Sequence, residues 1–382
     1  MNKLFCTLPF SKIFLGADGK IKTCCAASEY SIGDIKENTI EEILQGEKAK
    51  KIRQELIEGK WPEQCTWNCK KLYDVGAKGE IESNDYFAEQ ALEKGNSYFE
   101  LNQIDLRWSN LCNLSCTYCG PPFSSKWAAI KKIKINNVSK DNVDSLLNFI
   151  KEDINSKNSI LKIVYLLGGE PLLLDKNIEL LKLIKDIDVT VHITTNLTNK
   201  LSENEISNLL LERNNVKWAI SMETLGEKFE YVREGGEWSI FDKNIDYLNH
   251  KKRDGAKYIL NPIYCIYSAL SIVELYEYAE SKNLDDVDWQ IILQGPSAVS
   301  VVNLPKKQKL KAIEQINIVV DRYKDRFEIS KLLGFRDNVL IPNLETSDIN
   351  IMVDYHTKME TETLIHKKHK FIDLWEDMIS DE

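Results

Sequence analysis

The 382-residue chain lacks long apolar runs. No stretch approaches 18 consecutive apolar residues, so no membrane-spanning helix is expected. It also lacks an excess of positive charge. With 50 Lys and Arg against 59 Asp and Glu, its formal charge is −9, and general nucleic-acid binding, which needs a basic face, is disfavoured. Histidine is scarce: His192, His250, His356, His366 and His369 show no spacing that suits a shared metal ion. The opening MNKLFCTLPFSKIF has neither an extended apolar core nor a small-residue cleavage site, so no secretory signal is expected and the chain reads as cytoplasmic. Internal repeats and low-complexity tracts are missing too. What is present is 43% apolar residues, enough for a substantial core.

Cysteine is unevenly placed. The nine lie at 6, 24, 25, 65, 69, 112, 116, 119 and 265, eight of them in the first 119 residues. They are too sparse for a disulfide scaffold in a chain of this length, which points to a reducing compartment and to metal binding.

Four regions follow. Residues 1–75 form a small Cys-rich module and residues 76–100 a polar connector. Residues 101–300 alternate strand-length apolar runs with amphipathic helical stretches, and residues 301–382 read as mainly helical. Strands are predicted near 101–107, 160–167, 189–194, 215–221, 257–265 and 286–293. Helices are predicted near 141–155, 175–186, 203–212, 240–251 and 271–281. Strands separated by helices imply parallel strands with right-handed crossovers. Some 190 residues are too few for an eight-stranded barrel, which takes about 250. The fold class expected is α/β: a partial (β/α)6 barrel or open doubly wound sheet, a small N-terminal Cys-rich module and a helical C-terminal region.

The sharpest motif is CNLSCTYCG at 112–120. Cys112, Cys116 and Cys119 are spaced C-x3-C-x2-C directly after the first predicted strand. Three thiolates on one tight loop can hold three irons of a [4Fe–4S] cluster and leave the fourth open to an outside ligand. A zinc site completed by a remote Cys or His is the alternative. Here the sequence resembles the radical S-adenosylmethionine (radical SAM) superfamily, whose signature has an aromatic residue before the third Cys, as Tyr118 is here. The resemblance implies that the open iron chelates the amino and carboxylate groups of the methionine moiety. It also implies ligand-contacting roles for residues at the C-terminal ends of successive strands. In LLGGEP these are Gly168, Gly169 and Glu170, the glutamate facing the ligand's ammonium group. Thr195 and Asn196 of TTN, Ser221, and Arg233 of EYVREGG are similar to positions that contact ribose and carboxylate. α/β sheets bind ligands at that end.

A second set lies at the N-terminus: Cys6-x12-Gly19-x4-Cys24-Cys25, then Cys65-x3-Cys69. The Asp18-Gly19 turn suggests a hairpin. The run is similar to the opening of the SPASM/twitch auxiliary-cluster module, which implies a second, fully ligated [4Fe–4S] cluster on Cys6, Cys24, Cys65 and Cys69. A tetrathiolate zinc site remains the alternative, and Cys25 the alternative to Cys24. The module usually follows the barrel, whereas here it precedes it, and the full set of seven cysteines is absent.

The resemblance implies a radical SAM enzyme. It would cleave S-adenosylmethionine reductively to a 5′-deoxyadenosyl radical and abstract hydrogen from a C–H bond of a peptide or protein side chain. A one-electron reductant such as flavodoxin or ferredoxin would serve it. A small molecule such as a sugar is the alternative substrate, and a non-catalytic iron–sulfur or zinc scaffold the alternative function. Cys265 reads as a buried thiol, with a radical-donating role as its sharper alternative. The basic run Lys306, Lys307, Lys309 and Lys311 reads as a solvated helix face.

Overall fold

A computed structural model describes residues 6–27, 30–65, 69–70, 84–135, 137–156, 158–290, 296–363 and 368–379. Its strands are mostly parallel, in the order β3-β2-β1-β4-β5 in the first of two compact units and β7-β8-β9 in the second. They are β1 (Lys12–Leu15), β2 (Lys20–Lys22), β3 (Gly33–Asp34), β4 (Gln103–Leu106), β5 (Ile163–Leu166), β6 (Thr190–Thr195), β7 (Val216–Ile220), β8 (Lys257–Leu260) and β9 (Asp286–Val287). The chain divides into two compact units, 1–110 with 135–192, and 111–134 with 193–382.

In the first unit, the Asp18-Gly19 turn reverses the chain between β1 and β2. Gly19 takes φ +89°, a conformation glycine adopts without strain, and its N–H closes the turn on the Gly16 carbonyl. Strand β1 pairs antiparallel with β2 on one side and parallel with β4 on the other, Lys12 opposite Gln103 and Leu15 opposite Leu106. The Cys-rich module therefore continues the parallel sheet, an outcome local sequence could not announce because the partners lie some 90 residues apart. Helix α1 (Ile40–Gln45) starts at a capping box. Thr39 accepts from the Glu42 N–H, and Glu42 accepts from the Thr39 N–H. Helix α2 (Glu47–Ile57) buries Ala49, Ile52, Arg53 and Leu56. Helix α3 (Lys140–Asn155) is capped by Ser139 and buries Val143, Leu146, Leu147 and Ile150 at helical spacing. Strand β4 pairs parallel with β5, Gln103 opposite Ile163.

In the second unit, β7 pairs parallel with β8 and β8 with β9. The predicted strand 257–265 stops at Leu260. Pro262 offers no N–H to a ladder, only an isolated bridge joins Ile263 to Gln290, and Cys265 already caps the next helical turn, Ile266–Ala269. The predicted strand 286–293 is ordered as a ladder over Asp286–Val287 alone, and 291–293 lie outside the described residues. The C-terminal region is helical, with α4 (Lys306–Tyr323) and α5 (Ile349–Glu362) as its longest elements. One expectation fails there. Lys309 is fully buried, and its ammonium donates to the carbonyls of Val302, Asn343 and Thr346, so it ties together the turns that follow and precede it. Among the described residues no helix is long and apolar enough to cross a membrane.

Candidate functional site

The CNLSCTYCG loop lies in the second unit. Two main-chain bonds hold it like a short ladder: Ser115 N–H donates to the Glu234 carbonyl and Thr117 N–H to the Val232 carbonyl, each at 2.9 Å. Ser124 Oγ donates to the Leu114 carbonyl at 2.6 Å, and Trp127 Nε1 to the Cys116 carbonyl at 2.9 Å. Tyr355 of α5 donates to the Thr117 carbonyl at 2.5 Å. The Leu114, Cys116 and Thr117 carbonyls of the loop are thereby each bonded by a side chain from outside it.

The three thiols sense one another. Burial pushes Cys116 well above its ordinary pKa, Arg233 opposes this, and Cys119 and Cys112 add to it. Burial pushes Cys119 up to about 11; the Gly120 main chain partly opposes the shift, and Cys112 adds to it. Crowded, dehydrated thiols resist losing protons until cationic metal replaces them, which is the behaviour of a thiolate donor set. Cys112 Sγ accepts from Leu114 N–H at 3.5 Å and from Asn196 Nδ2 at 3.9 Å, contacts that favour the thiolate. Asn196 also donates to Asn113 Oδ1 at 2.9 Å, and Asn113 donates to Thr198 Oγ1 at 2.9 Å. The end of β6 is in this way tied to the cysteine loop. Thr195 is buried, and its hydroxyl accepts from Leu197 N–H. Ser221, just past β7, is half-buried and donates its N–H to the Thr195 carbonyl.

Arg233 is buried and doubly bonded to Glu223, Nε to Oε2 at 2.9 Å and Nη2 to Oε1 at 2.8 Å. Burial works against its charge, and Glu223 more than restores it. Its guanidinium lies 5.8 Å from the centre of the Tyr118 ring. Glu223 is completely buried and sits two residues beyond Ser221. Sequence reasoning passed over it. An acid at strand spacing past a strand end was the available signal. Trp127 and Tyr355, the loop's props, carried no such signal. Cys265 is also completely buried, and its thiol is pushed up to about 12 by burial and then by Glu223.

The other candidates lie in the first unit. Gly168 takes φ +86°, and a Cβ there would meet Ser109 O at 2.9 Å and Arg107 Cα at 3.0 Å. Its glycine is thus required by the main chain leaving β4. Gly169 is half-buried. Glu170 is buried, and its Oε1 accepts from Leu172 N–H at 3.1 Å, capping the turn Pro171–Leu173. In the N-terminal set, Cys24 is buried and Cys25 exposed. Burial, with Cys6 and Cys69, pushes the Cys24 thiol up to about 12. Burial raises Cys65 as well, and Cys24, Cys6 and Cys69 add to the shift.

Two groups of cysteines that raise one another's pKa lie on this α/β frame; among the described residues no three His, Cys, Asp or Glu side chains are gathered closely enough to hold a metal ion as they stand. Residues 106–264 match the radical SAM superfamily, and residues 6–70 match the iron-sulfur cluster-binding SPASM domain. The chain carries a radical SAM domain preceded by a SPASM domain, the domains whose cofactors are S-adenosylmethionine and [4Fe–4S] clusters.

A 7-carboxy-7-deazaguanine synthase of Clostridium acetobutylicum is 26% identical over 173 residues, 45% of this chain and 66% of that protein. Among solved structures, Streptococcus suis SuiB bound to S-adenosylmethionine is similar, with a TM-score of 0.44 and 18% identity over 68% of this chain and 60% of that one. The anSMEcpe protein with bound AdoMet has a TM-score of 0.44 and 20% identity, over 62% of this chain and 60% of that one. The chain thus covers less than two thirds of the length of each of these relatives.

Proposed function

We propose that the chain cleaves S-adenosylmethionine reductively and uses the resulting radical to abstract hydrogen from a C–H bond of a peptide or protein side chain. The observation that carries this reading is the three-thiol loop, a local donor set one short of the four that a closed site takes. When bound, a reduced cluster with one open iron supplies the electron that breaks the sulfonium C–S bond and yields methionine and a 5′-deoxyadenosyl radical.

Cys112, Cys116 and Cys119 would hold that cluster, their loop fixed by Trp127, Ser124 and Tyr355. Gly168, Gly169 and Glu170 would line the methionine end, with the Glu170 carboxylate accepting from the ammonium group. Thr195, Asn196 and Ser221 would contact ribose and carboxylate. Arg233 and Tyr118 would border the same ligand, and the hold of Glu223 on Arg233 supports a shared role in which Arg233 supplies positive field from a fixed position. Cys6, Cys24, Cys65 and Cys69 would bind the second cluster. The burial of Cys24 and its coupling to the other three thiols favour it over Cys25.

A flavodoxin or ferredoxin would supply electrons in the cytoplasm. The match to 7-carboxy-7-deazaguanine synthase favours a second reading, a small-molecule substrate. The test is anaerobic incubation of reconstituted protein with S-adenosylmethionine and reductant. Deoxyadenosine together with a mass change in a candidate peptide supports the proposal. Deoxyadenosine with a mass change only in small molecules favours the second reading, and no deoxyadenosine overturns both.

A further inference from the structure

Within the first unit a groove runs between α1 of the cysteine module and α3. It consists of two openings, of about 420 and about 360 Å³, that share Glu41 and Phe149 as lining residues. Its walls carry Glu41, Asp141, Asp144 and Glu152 in one opening, and Glu100 and Asp153 in the other. Among the described residues no Lys, Arg or His lines either opening. Its floor includes the apolar side chains of Ile40, Leu44, Phe149 and Ile160, though the lining as a whole is more polar than apolar.

Part of the charge is answered from outside the lining. Lys176 pairs with Asp144 at 2.8 Å, and Lys94 approaches Glu100 at 3.9 Å. Glu41, Asp141 and Glu152 have no ion-pair partner among the described residues. In the second opening the Glu100 and Asp153 carboxylates repel. Burial pushes the Asp153 carboxyl up, the Ser159 hydroxyl partly offsets this, and Glu100 adds to it. Among the described residues, four of the six carboxylates, Glu41, Asp141, Glu152 and Asp153, are left without an ion pair and make a strip of negative potential.

The groove also has a direction. Helix α3 leads into β5, so its Asp141 end lies toward the end of the sheet where β5 finishes. The ion pair from Asp144 to Lys176, at the start of the helix that follows β5 (Lys176–Leu183), places it there. Gly168–Glu170 leave β5 at that same end. From Asp141 to Glu152 is eleven helical steps, about 16 Å, the reach of roughly five extended residues.

We infer that this groove docks an extended segment of the peptide substrate in which Lys or Arg alternates with apolar residues. Apolar side chains would meet the floor, and cations the carboxylates on either wall. The segment would then hand its neighbouring residues to the C-terminal end of β5. The inference rests on the peptide reading of the proposed function.

The test uses the reconstituted full chain and two fluorescein-labelled 12-residue probes, one alternating Lys with Leu and the other Glu with Leu. Binding is followed by fluorescence anisotropy at about 0.15 M salt. The groove variant is Glu41→Lys/Asp141→Lys/Glu152→Lys. The control variant, Glu205→Lys/Glu212→Lys/Asp254→Lys, makes the same change in net charge at exposed positions of the second unit. The wild type should bind the Lys–Leu probe and not the Glu–Leu probe. The groove variant should lose at least about tenfold in affinity, and the control less than about twofold. Equal losses in both variants, or none in the groove variant, overturn the inference. Deoxyadenosine formation and substrate modification are assayed in the same preparations. Wild-type modification of a peptide by the groove variant removes the groove and leaves the proposed function standing; absence of peptide modification by the wild type removes the proposed substrate itself.

Discussion

Replacing Glu223 with Gln isolates the most concentrated charge interaction in the site. The change keeps the side chain's shape and one acceptor oxygen but leaves the Arg233 guanidinium buried without a counter-charge. Arg233 is 4% and Glu223 0% exposed, so water cannot screen the loss. Breaking a buried pair from one side costs about 3–5 kcal/mol. The retained amide acceptor puts Glu223→Gln near the lower end, about 3 kcal/mol. For a unit of roughly 200 residues, at about 2–4 °C per kcal/mol, the second unit's melting temperature should fall by roughly 6–12 °C. Arg233→Met should also destabilise. The double variant Glu223→Gln/Arg233→Met removes both charges and should recover most of the loss, giving a coupling energy of at least about 2 kcal/mol. Thermal unfolding of the four proteins followed by calorimetry measures this. Strict additivity, or a cost below about 1 kcal/mol for Glu223→Gln, would refute the claim that Glu223 offsets the cost of burying the Arg233 charge.

Three further outcomes are expected. Gly168→Ala should destabilise the first unit by about 1–3 kcal/mol in denaturant titration, because alanine is strained at φ +86° and its methyl would press on Ser109 O and Arg107 Cα; an unchanged midpoint would contradict this. Asp285 is partly buried, which raises its carboxyl, but Lys252 and the Tyr258 N–H outweigh burial and hold it below the usual range. A depressed carboxyl adds stability above its unfolded pKa of about 3.9, and loses it as pH falls through the folded value. Asp285→Asn should therefore cost about 1 kcal/mol at pH 7 and nothing near pH 2, and a deficit that persists in acid would be wrong for this cause. Cys65→Ala/Cys69→Ala should lower iron from about eight to about four atoms per chain and abolish substrate turnover while some deoxyadenosine formation persists; turnover at the wild-type level would show the N-terminal cluster to be dispensable.

The strands and helices around the site were legible because their periodicity is strong. The apolar positions Val143, Leu146, Leu147 and Ile150 define α3, and the predicted 189–194 and 215–221 differ from β6 and β7 by a residue or so. Strand ends were less legible where a single residue removes a hydrogen bond, as Pro262 does after β8. The thiol sets could be read because cysteine is rare and its spacing carries chemistry. Pairings between distant segments could not. Nothing near Lys12–Leu15 marks it as the parallel partner of Gln103–Leu106. Nothing near Trp127 or Tyr355 marks them as props of the cysteine loop, and Glu223 looks like any surface acid until Arg233 closes on it. Lys309 misled for the same reason, since a lysine among lysines gives no hint of the three carbonyls that enclose it.

The central claim is that Cys112, Cys116 and Cys119 hold a cluster whose open iron acts on S-adenosylmethionine. The direct measurement is iron content and deoxyadenosine yield, side by side, for anaerobically reconstituted wild type and the Cys112→Ala/Cys116→Ala/Cys119→Ala variant, each reduced with S-adenosylmethionine present. The wild type should carry about eight irons and form deoxyadenosine, and the variant about four irons and none. Stoichiometric zinc with little iron in the wild type, or deoxyadenosine from the variant, would contradict the account.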